Sequence, residues 1–411
     1  MTVDEHVAAA DKQPPIEAVP LLKPRDGTPA PIADHRSLHT LAHALGAASG
    51  PIALDTERAS GFRYGSRAFL VQIRRAGVGT ALVDPVPFAD LEPLAEPLQQ
   101  GEWILHAATQ DLPCLAELGL RPAQLFDTEL AGRLAGLPKV GLGPLVEQIL
   151  GLHLAKGHGA DDWSRRPLPA DLLDYAALDV EVLIELREAM AQLLAAEGKL
   201  EWAEQEFAAI VDAPPPVPRP DPWRRVSGIH TISDRRTLAA IRELYLARDA
   251  FAQSRDLAPH RVLPDSAIVN AATTLPTTVA ALTSLPVFGG HAQRRQAQRW
   301  LAALDRARSL PATELPPRRL PADGPPSASR WSHKNPDAAA RLEAARTGLA
   351  AVSERVSVPV ENLASPRLVR AICWQPPVSG DVASAMADGG ARPWQIELVA
   401  PALASALSAR A

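Results

Sequence analysis

Residues 51–57 read PIALDTE, an aliphatic run that closes on two carboxylates, Asp55 and Glu57, set two positions apart. Side chains alternate along a strand, so both acids share one face at the end of an apolar strand. Like charges held side by side repel, and a bound divalent cation removes that cost. A strand end dipping into solvent carries the same pattern, so the neighbouring segments decide. Downstream, RAFLVQIRRA (67–76) and TALVDP (80–85) continue as strands separated by Gly-containing turns. WILHAAT (103–109) reads as a buried strand. DLPCLAELGL (111–120) reads as a helix opening on Asp111, where the helix dipole favours an acid. FDTELAGRLAG (126–136), LGPLVEQILG (142–151) and the long segment 168–198 read as helices, as does SLHTLAHALGAA (37–48) upstream. Strands first and mostly helices after them predict a mixed α/β sheet covered by helices over residues 35–212.

The long helical segment holds a third acidic element. Tyr175 and Asp179 are four apart, hence neighbours on one helix face, and the same helix carries Leu172, Leu173, Ala176 and Val180. DWSRRPL (162–168) precedes it and brings Trp163, Arg165 and Arg166. Together Asp55, Glu57, Asp111 and Asp179 offer four oxygen-donor carboxylates. Such a set suits two Mg2+ or Mn2+ ions held as a pair, which clamp the attacking and leaving oxygens of a displacement at phosphorus.

The remainder of the 411 residues divides at proline-rich stretches. Residues 1–34 lack periodicity and read as a disordered lead-in. APPPVPRPDPW (213–223) is a semi-rigid linker, 224–310 a block of short helices, and 311–334 a second proline-rich linker. Residues 335–411 form another helical block with the plan of the one before: long helix, short apolar turn, short helix. The net charge of −5 conceals a partition. Residues 1–213 carry 17 Lys and Arg against 31 Asp and Glu, residues 214–334 carry 18 against 9, and the rest are balanced. An acidic block joined to a basic one fits carboxylate or metal chemistry in one part and a polyanion in another. Two cysteines build no disulfide framework, and no basic-then-apolar leader or membrane span is readable, so a reducing cytoplasmic setting without membrane attachment is expected.

LDTE, HAATQDL and YAALDV, in that order and with DWSRRPL before the last, resemble the three motifs of the DEDD exonuclease superfamily. The subgroup is the one with Tyr in its third motif and a ribonuclease H-like fold, and the whole chain looks like ribonuclease D. LARDAFAQSRDLAPHRVLPDSAIVNAATTLPTT, within 224–310, resembles the HRDC module, and residues 335–411 resemble a second, weaker one. The resemblance implies a metal-dependent 3′→5′ exoribonuclease acting on RNA with a free 3′ end, precursor tRNA among the candidates. The oligomeric state stays open, with a monomer expected because three tethered domains could enclose a substrate without a partner. It implies Asp55, Glu57 and Asp179 as ligands of one metal, Asp55 and Asp111 of the other, and Tyr175 as the group that orients the attacking water. His106 and Trp163 are further candidates for contact with the terminal nucleotide. Arg165 and Arg166 are candidates for phosphate contact or for pairing with Asp161 and Asp162. Phe69 and Gln72 read as structural. In the basic block Arg224, Arg225, Arg235, Arg236, Arg294, Arg295 and Arg299 are candidates for contact with an RNA backbone. Two other readings stay open: a nucleic-acid-binding adaptor with a vestigial site, and a 3′→5′ exonuclease acting on DNA. The neutral C-terminal block suits packing against the catalytic part as well as it suits RNA.

Overall fold

The computed structural model of the chain describes residues 18–155, 157–215, 217–320 and 324–410. Residues 1–17 of the lead-in lie outside the described residues. The central sheet has five strands: β2 (Ile52–Arg58), β3 (Ala68–Arg75), β4 (Gly79–Val83), β5 (Trp103–Leu105) and β6 (Leu125–Asp127). Their order is β4-β3-β2-β5-β6, with β2 antiparallel to β3, β3 antiparallel to β4, and β2, β5 and β6 mutually parallel. Strands β1 (Val19–Leu21) and β7 (Leu152–Leu154) form a separate parallel pair.

The helix His35–Ala47, capped by Asp34 at the amide of Ser37 (2.9 Å), buries Leu38, Leu41 and Leu45 against one face of the sheet with Ile52, Leu54, Val71 and Ile73. The helix Ala170–Glu181 covers the other face and packs Leu172, Ala176 and Ala177 on Leu70 and Leu82. The acidic strand end of β2 is thus pressed between a sheet and a helix that carries its own acid.

Several expectations change. Residues 18–34 are ordered. Strand β1 pairs with β7, Ile32 bridges to Val83, and the amide of Arg25 donates to both carboxylate oxygens of Glu181 at 3.1 Å. The segment expected as one helix from Phe126 begins as strand β6, because Asp127 leaves the sheet to cap the helix Thr128–Leu134. The helix Leu200–Val211 follows Gly198 (φ +68°) and was not anticipated.

The two C-terminal blocks share a plan. Each has a 21-residue helix, Arg235–Arg255 or Pro336–Val356, ended by a left-handed residue, Asp256 or Ser357. A four-residue helix and then a longer one follow in both. Each long helix buries an arginine on a backbone carbonyl 2.9 Å away: Arg248 on Leu263, Arg341 on Cys373. Their surroundings differ. The first block has its own core around Trp223, Ile241, Ile268 and Trp300. The second shares the core of the α/β block through Trp331, Leu342 and Trp394. Trp394 stacks on Trp202 at 5.0 Å and donates to Glu206 (3.0 Å). Buried Trp223 and Trp331 also draw the ends of both linkers into folded blocks, because so large an apolar surface does not stay in a spacer. No helix among the described residues is long and apolar enough to cross a membrane.

Candidate active site

One carboxylate oxygen each from Asp55, Glu57 and Asp179 lies within 4.8 Å of the others. With Asp111, Tyr175 and His106 these residues line a cleft of about 570 Å3 at the end of β2. The strand supplies two acids, the helix Ala170–Glu181 the third, and the turn after β5 the fourth.

Asp111 accepts a hydrogen bond from the hydroxyl of Thr56 (2.6 Å) and lies 3.6 Å from the guanidinium of Arg58. Arg58 also donates to the carbonyl of Gln110 (2.6 Å). The turn that delivers Asp111 is held from β6. The carboxylate of Asp127 accepts from the amides of Ala107 (3.0 Å), Ala108 (2.8 Å), Glu129 (2.9 Å) and Leu130 (3.2 Å). It thereby secures the left-handed backbone of Ala107 (φ 59°) and satisfies four amides that burial would otherwise leave costly.

Burial raises the proton affinity of every acid here, and repulsion within the cluster adds to it at Asp55 and Glu57. Burial first, then the charges of Asp111 and Asp179, holds Asp55 well above the usual carboxylate range. Glu57 is pushed up to about 10 by burial, Asp55, Asp179 and Asp111, and Asp179 to about 7 by burial against an opposing hydrogen bond from Tyr175. Asp111 is raised by burial, with Thr56 and Arg58 opposing. Crowded, desolvated, all-oxygen donors are what hard divalent cations bind, and cation charge relieves this strain. The residues present therefore fit a divalent metal. Burial and the neighbouring carboxylates also raise the Tyr175 phenol. Its ring meets the edge of His158 at 5.5 Å, and His158 Nδ1 is 2.7 Å from Asp161.

Two candidates from the DWSRRPL segment are structural. Trp163 is fully buried, with its indole N–H on the carbonyl of His158 (3.2 Å), so it anchors the helix and is closed to a base. Arg166 pairs with neither Asp161 nor Asp162. Its fork meets both oxygens of buried Asp84 (2.5 and 2.7 Å) and the carbonyls of Trp163 and Phe69 (both 2.7 Å). Arg165 is exposed. Gln72 is fully buried in register with Asp55, and neither amide atom has a partner among the described residues. Sequence reasoning passed over Thr56, Arg58, Asp127 and His158. Only the adjacency of Thr56 and Arg58 to the D-x-E pair offered a signal.

Sequence families described as 3'-5' exonuclease, HRDC domain and 3' to 5' exonuclease C-terminal domain match residues 29–195, 237–304 and 324–407. Ribonuclease D of Gluconacetobacter diazotrophicus is 34% identical over 282 residues, covering 67% of this chain and 71% of that protein. The chain belongs to the ribonuclease D family. It is therefore a 3′→5′ exoribonuclease, and the acidic cleft lies in the part matched by the exonuclease family. A crystal structure of a protein from Bifidobacterium adolescentis is similar over 95% of this chain and all of its own, at 36% identity and TM-score 0.88. That of Escherichia coli RNase D, an exoribonuclease involved in structured RNA processing, is similar over 92% of this chain and 98% of its own, at 27% identity and TM-score 0.67.

The basic HRDC block of this ribonuclease D relative is docked beside the cleft, on the loop that follows β2. The amide of Ala258 donates to Phe62 (3.0 Å), Arg261 to Gly61 (2.6 Å), the hydroxyl of Tyr64 to Asp249 (3.1 Å) and Arg67 to Asp256 (2.8 Å). Its arginines divide. Arg224 pairs with Asp221 (3.1 Å), lies over Trp223 and donates to Pro317. Arg235 holds the carbonyls of Leu315 and Pro316. Arg236 holds those of Ala307, Arg308 and Leu310. These three bind the end of the last HRDC helix and the second linker, since carbonyls at a helix end need donors. Arg299 covers the Phe251 ring at 4.4 Å. Arg225, Arg294 and Arg295 are exposed, with no side-chain ion pair or hydrogen bond among the described residues.

Proposed function

We propose that the enzyme removes nucleotides from the free 3′ end of RNA as 5′-mononucleotides, using two divalent cations, Mg2+ or Mn2+. The observation that carries this is the convergence of Asp55, Glu57, Asp111 and Asp179 on one cleft. Asp55, Glu57 and Asp179 would hold one cation, and Asp55 and Asp111 the other. Cations held there would activate the attacking water and offset charge on the leaving 3′-oxygen. Tyr175, on the cleft wall with Asp179, positions that water. A phenol ordinarily titrates near about 10 and is a poor base at neutral pH, and water bound to a divalent cation needs little help to lose its proton, so Tyr175 orients the water rather than deprotonating it. Arg58, beside Asp111, meets a phosphate oxygen of the terminal nucleotide. Arg225, Arg294, Arg295 and Arg299 bind the RNA backbone further from the end, independent of sequence and sensitive to salt. An RNA with a structured body and a 3′ trailer, such as precursor tRNA, suits a cleft flanked by a basic module. A single chain carrying both parts works as a monomer, and its free buried cysteines suit the cytoplasm.

The test is a 5′-labelled RNA hairpin with a single-stranded 3′ trailer, and its DNA counterpart, incubated with Mn2+. Stepwise shortening of the RNA trailer supports the reading. Equal degradation of the DNA overturns the substrate assignment, and binding without cleavage overturns the activity.

A further inference from the structure

We infer that the imidazole of His106 accepts a hydrogen bond from a ribose hydroxyl of the 3′-terminal nucleotide and so reads the sugar of the substrate. The inference rests on the function proposed above and adds the group that recognises the substrate's chemistry.

His106 directly follows β5 and forms part of the cleft wall with Asp55, Glu57 and Asp111. Its Nδ1 points back into the protein, 2.9 Å from the hydroxyl oxygen of Thr128. That oxygen lies 3.3 Å from the carbonyl oxygen of Leu105, which only accepts. A threonine hydroxyl has one proton. The arrangement that satisfies both contacts sends that proton to Leu105 and has Nδ1–H of His106 donate to Thr128. Thr128 is fully buried at the start of the helix capped by Asp127, so the relay is rigid. The other ring nitrogen, Nε2, is then the edge left to the cleft, and it carries a lone pair. Burial lowers the imidazole to about 4, against the pull of Glu129, so the ring stays neutral at physiological pH.

A neutral imidazole with its proton fixed on Nδ1 can only accept at Nε2. It has no donor for a phosphate oxygen or a carboxylate. It needs a donor from the substrate, and a nucleotide brings base N–H groups and ribose hydroxyls. The base donors, exocyclic amines in adenine, cytosine and guanine and ring N–H groups in guanine and uracil, differ in kind and position from base to base. Ribose hydroxyls are common to all four. An enzyme that consumes a strand from its end meets every base in turn, so the shared donor is the sugar. The 2′-hydroxyl separates RNA from DNA, whereas the 3′-hydroxyl is shared by both.

The experiment uses the full chain with Mn2+ and three oligoribonucleotides: all-ribo, 2′-deoxy at the last nucleotide, and 3′-deoxy at the last nucleotide. Wild type, His106→Ala and His106→Asn are compared by kcat/KM, and Mn2+ binding is followed by calorimetry. Wild type is expected to lose about 5–20-fold when the hydroxyl that His106 reads is removed. His106→Ala should lose a similar factor on the all-ribo strand and nothing further on that deoxy strand. His106→Asn, which retains an acceptor oxygen, should recover part of the loss. Mn2+ binding should stay within about 2-fold of wild type in both variants. Coupling to the 2′-deoxy strand makes His106 a determinant of RNA over DNA, and coupling to the 3′-deoxy strand makes it a reader of the free end. Losses that simply multiply on both deoxy strands overturn the inference. Inactivity of wild type on the all-ribo strand overturns the underlying functional reading instead.

Discussion

Replacing Glu57 by glutamine tests whether the carboxylate cluster is built around a cation. Without metal, the folded state holds the Glu57 proton up to about 10, against 4.5 for the ordinary side chain. Between roughly pH 5.5 and 9 the folded protein therefore keeps one proton that the unfolded chain has released. A folded-state value raised above the unfolded one gives stability that is full at low pH and lost as pH rises. For one proton the loss is about 1.4 kcal/mol per pH unit. With about 2–4 °C of Tm per kcal/mol for a domain of 150–250 residues, that is about 3–6 °C per pH unit. Glutamine stays neutral at every pH and removes this dependence. In EDTA, thermal denaturation from pH 5 to 9 should give a wild-type Tm that falls faster than the variant's, so that the variant is the more stable protein at pH 9. Adding Mn2+ should flatten the wild-type slope, because the cation favours the ionised acid. The same variant should lose about 100-fold or more in exonuclease rate, more than outer partners of metal ligands usually cost. Parallel Tm curves in EDTA would refute the reasoning, since they would mean that Glu57 ionises as freely in the fold as in the unfolded chain.

Tyr175→Phe removes the hydroxyl beside Asp179 and should lower kcat about 10–100-fold while Mn2+ affinity, read by calorimetry, stays within about 2-fold. Arg166→Ala leaves Asp84, 6% exposed, without its partner. It should cost about 2–4 kcal/mol, seen as a lower Tm, and Arg166→Lys should not restore the bidentate geometry. Arg294→Ala with Arg295→Ala should reduce the slope of log Kd against log salt by about 1.4, at about 0.7 per single-strand phosphate contact. Arg235→Ala with Arg236→Ala should lower Tm and leave that slope unchanged.

What was legible in the sequence was local. An aliphatic run ending in Asp55 and Glu57, two strands after it, and a Tyr–Asp pair at helical spacing all announce themselves within a few residues. The three acidic motifs carry residues that the fold brings to the wall of one cleft. What escaped depends on partners far along the chain. The order of residues 18–34 comes from contacts such as Arg25 with Glu181, 156 positions away. Strand β6 is three residues long, and Asp127 looks like an ordinary helix cap until its second set of amides, in the turn before Asp111, is seen. Trp163 and Arg166 have the side chains of a nucleotide site, and only burial and the position of Asp84 show that they serve the fold. The basic block announces its net charge, but arginines spent on helix-end carbonyls carry the same letter as those left exposed. The histidine signal was ambiguous for a related reason: what His106 offers the cleft is decided by Thr128 and Leu105 behind it.

The central claim is that Asp55, Glu57, Asp111 and Asp179 make one metal-dependent catalytic centre. It is tested most directly by 5′-labelled RNA with a 3′ trailer, treated with wild type, Asp55→Asn and Asp179→Asn, with Mn2+ or with EDTA. The predicted result is a ladder shortening from the 3′ end, with release of 5′-mononucleotides, for wild type with Mn2+ and for no other combination. Undiminished shortening by both variants, or by wild type in EDTA, would contradict it.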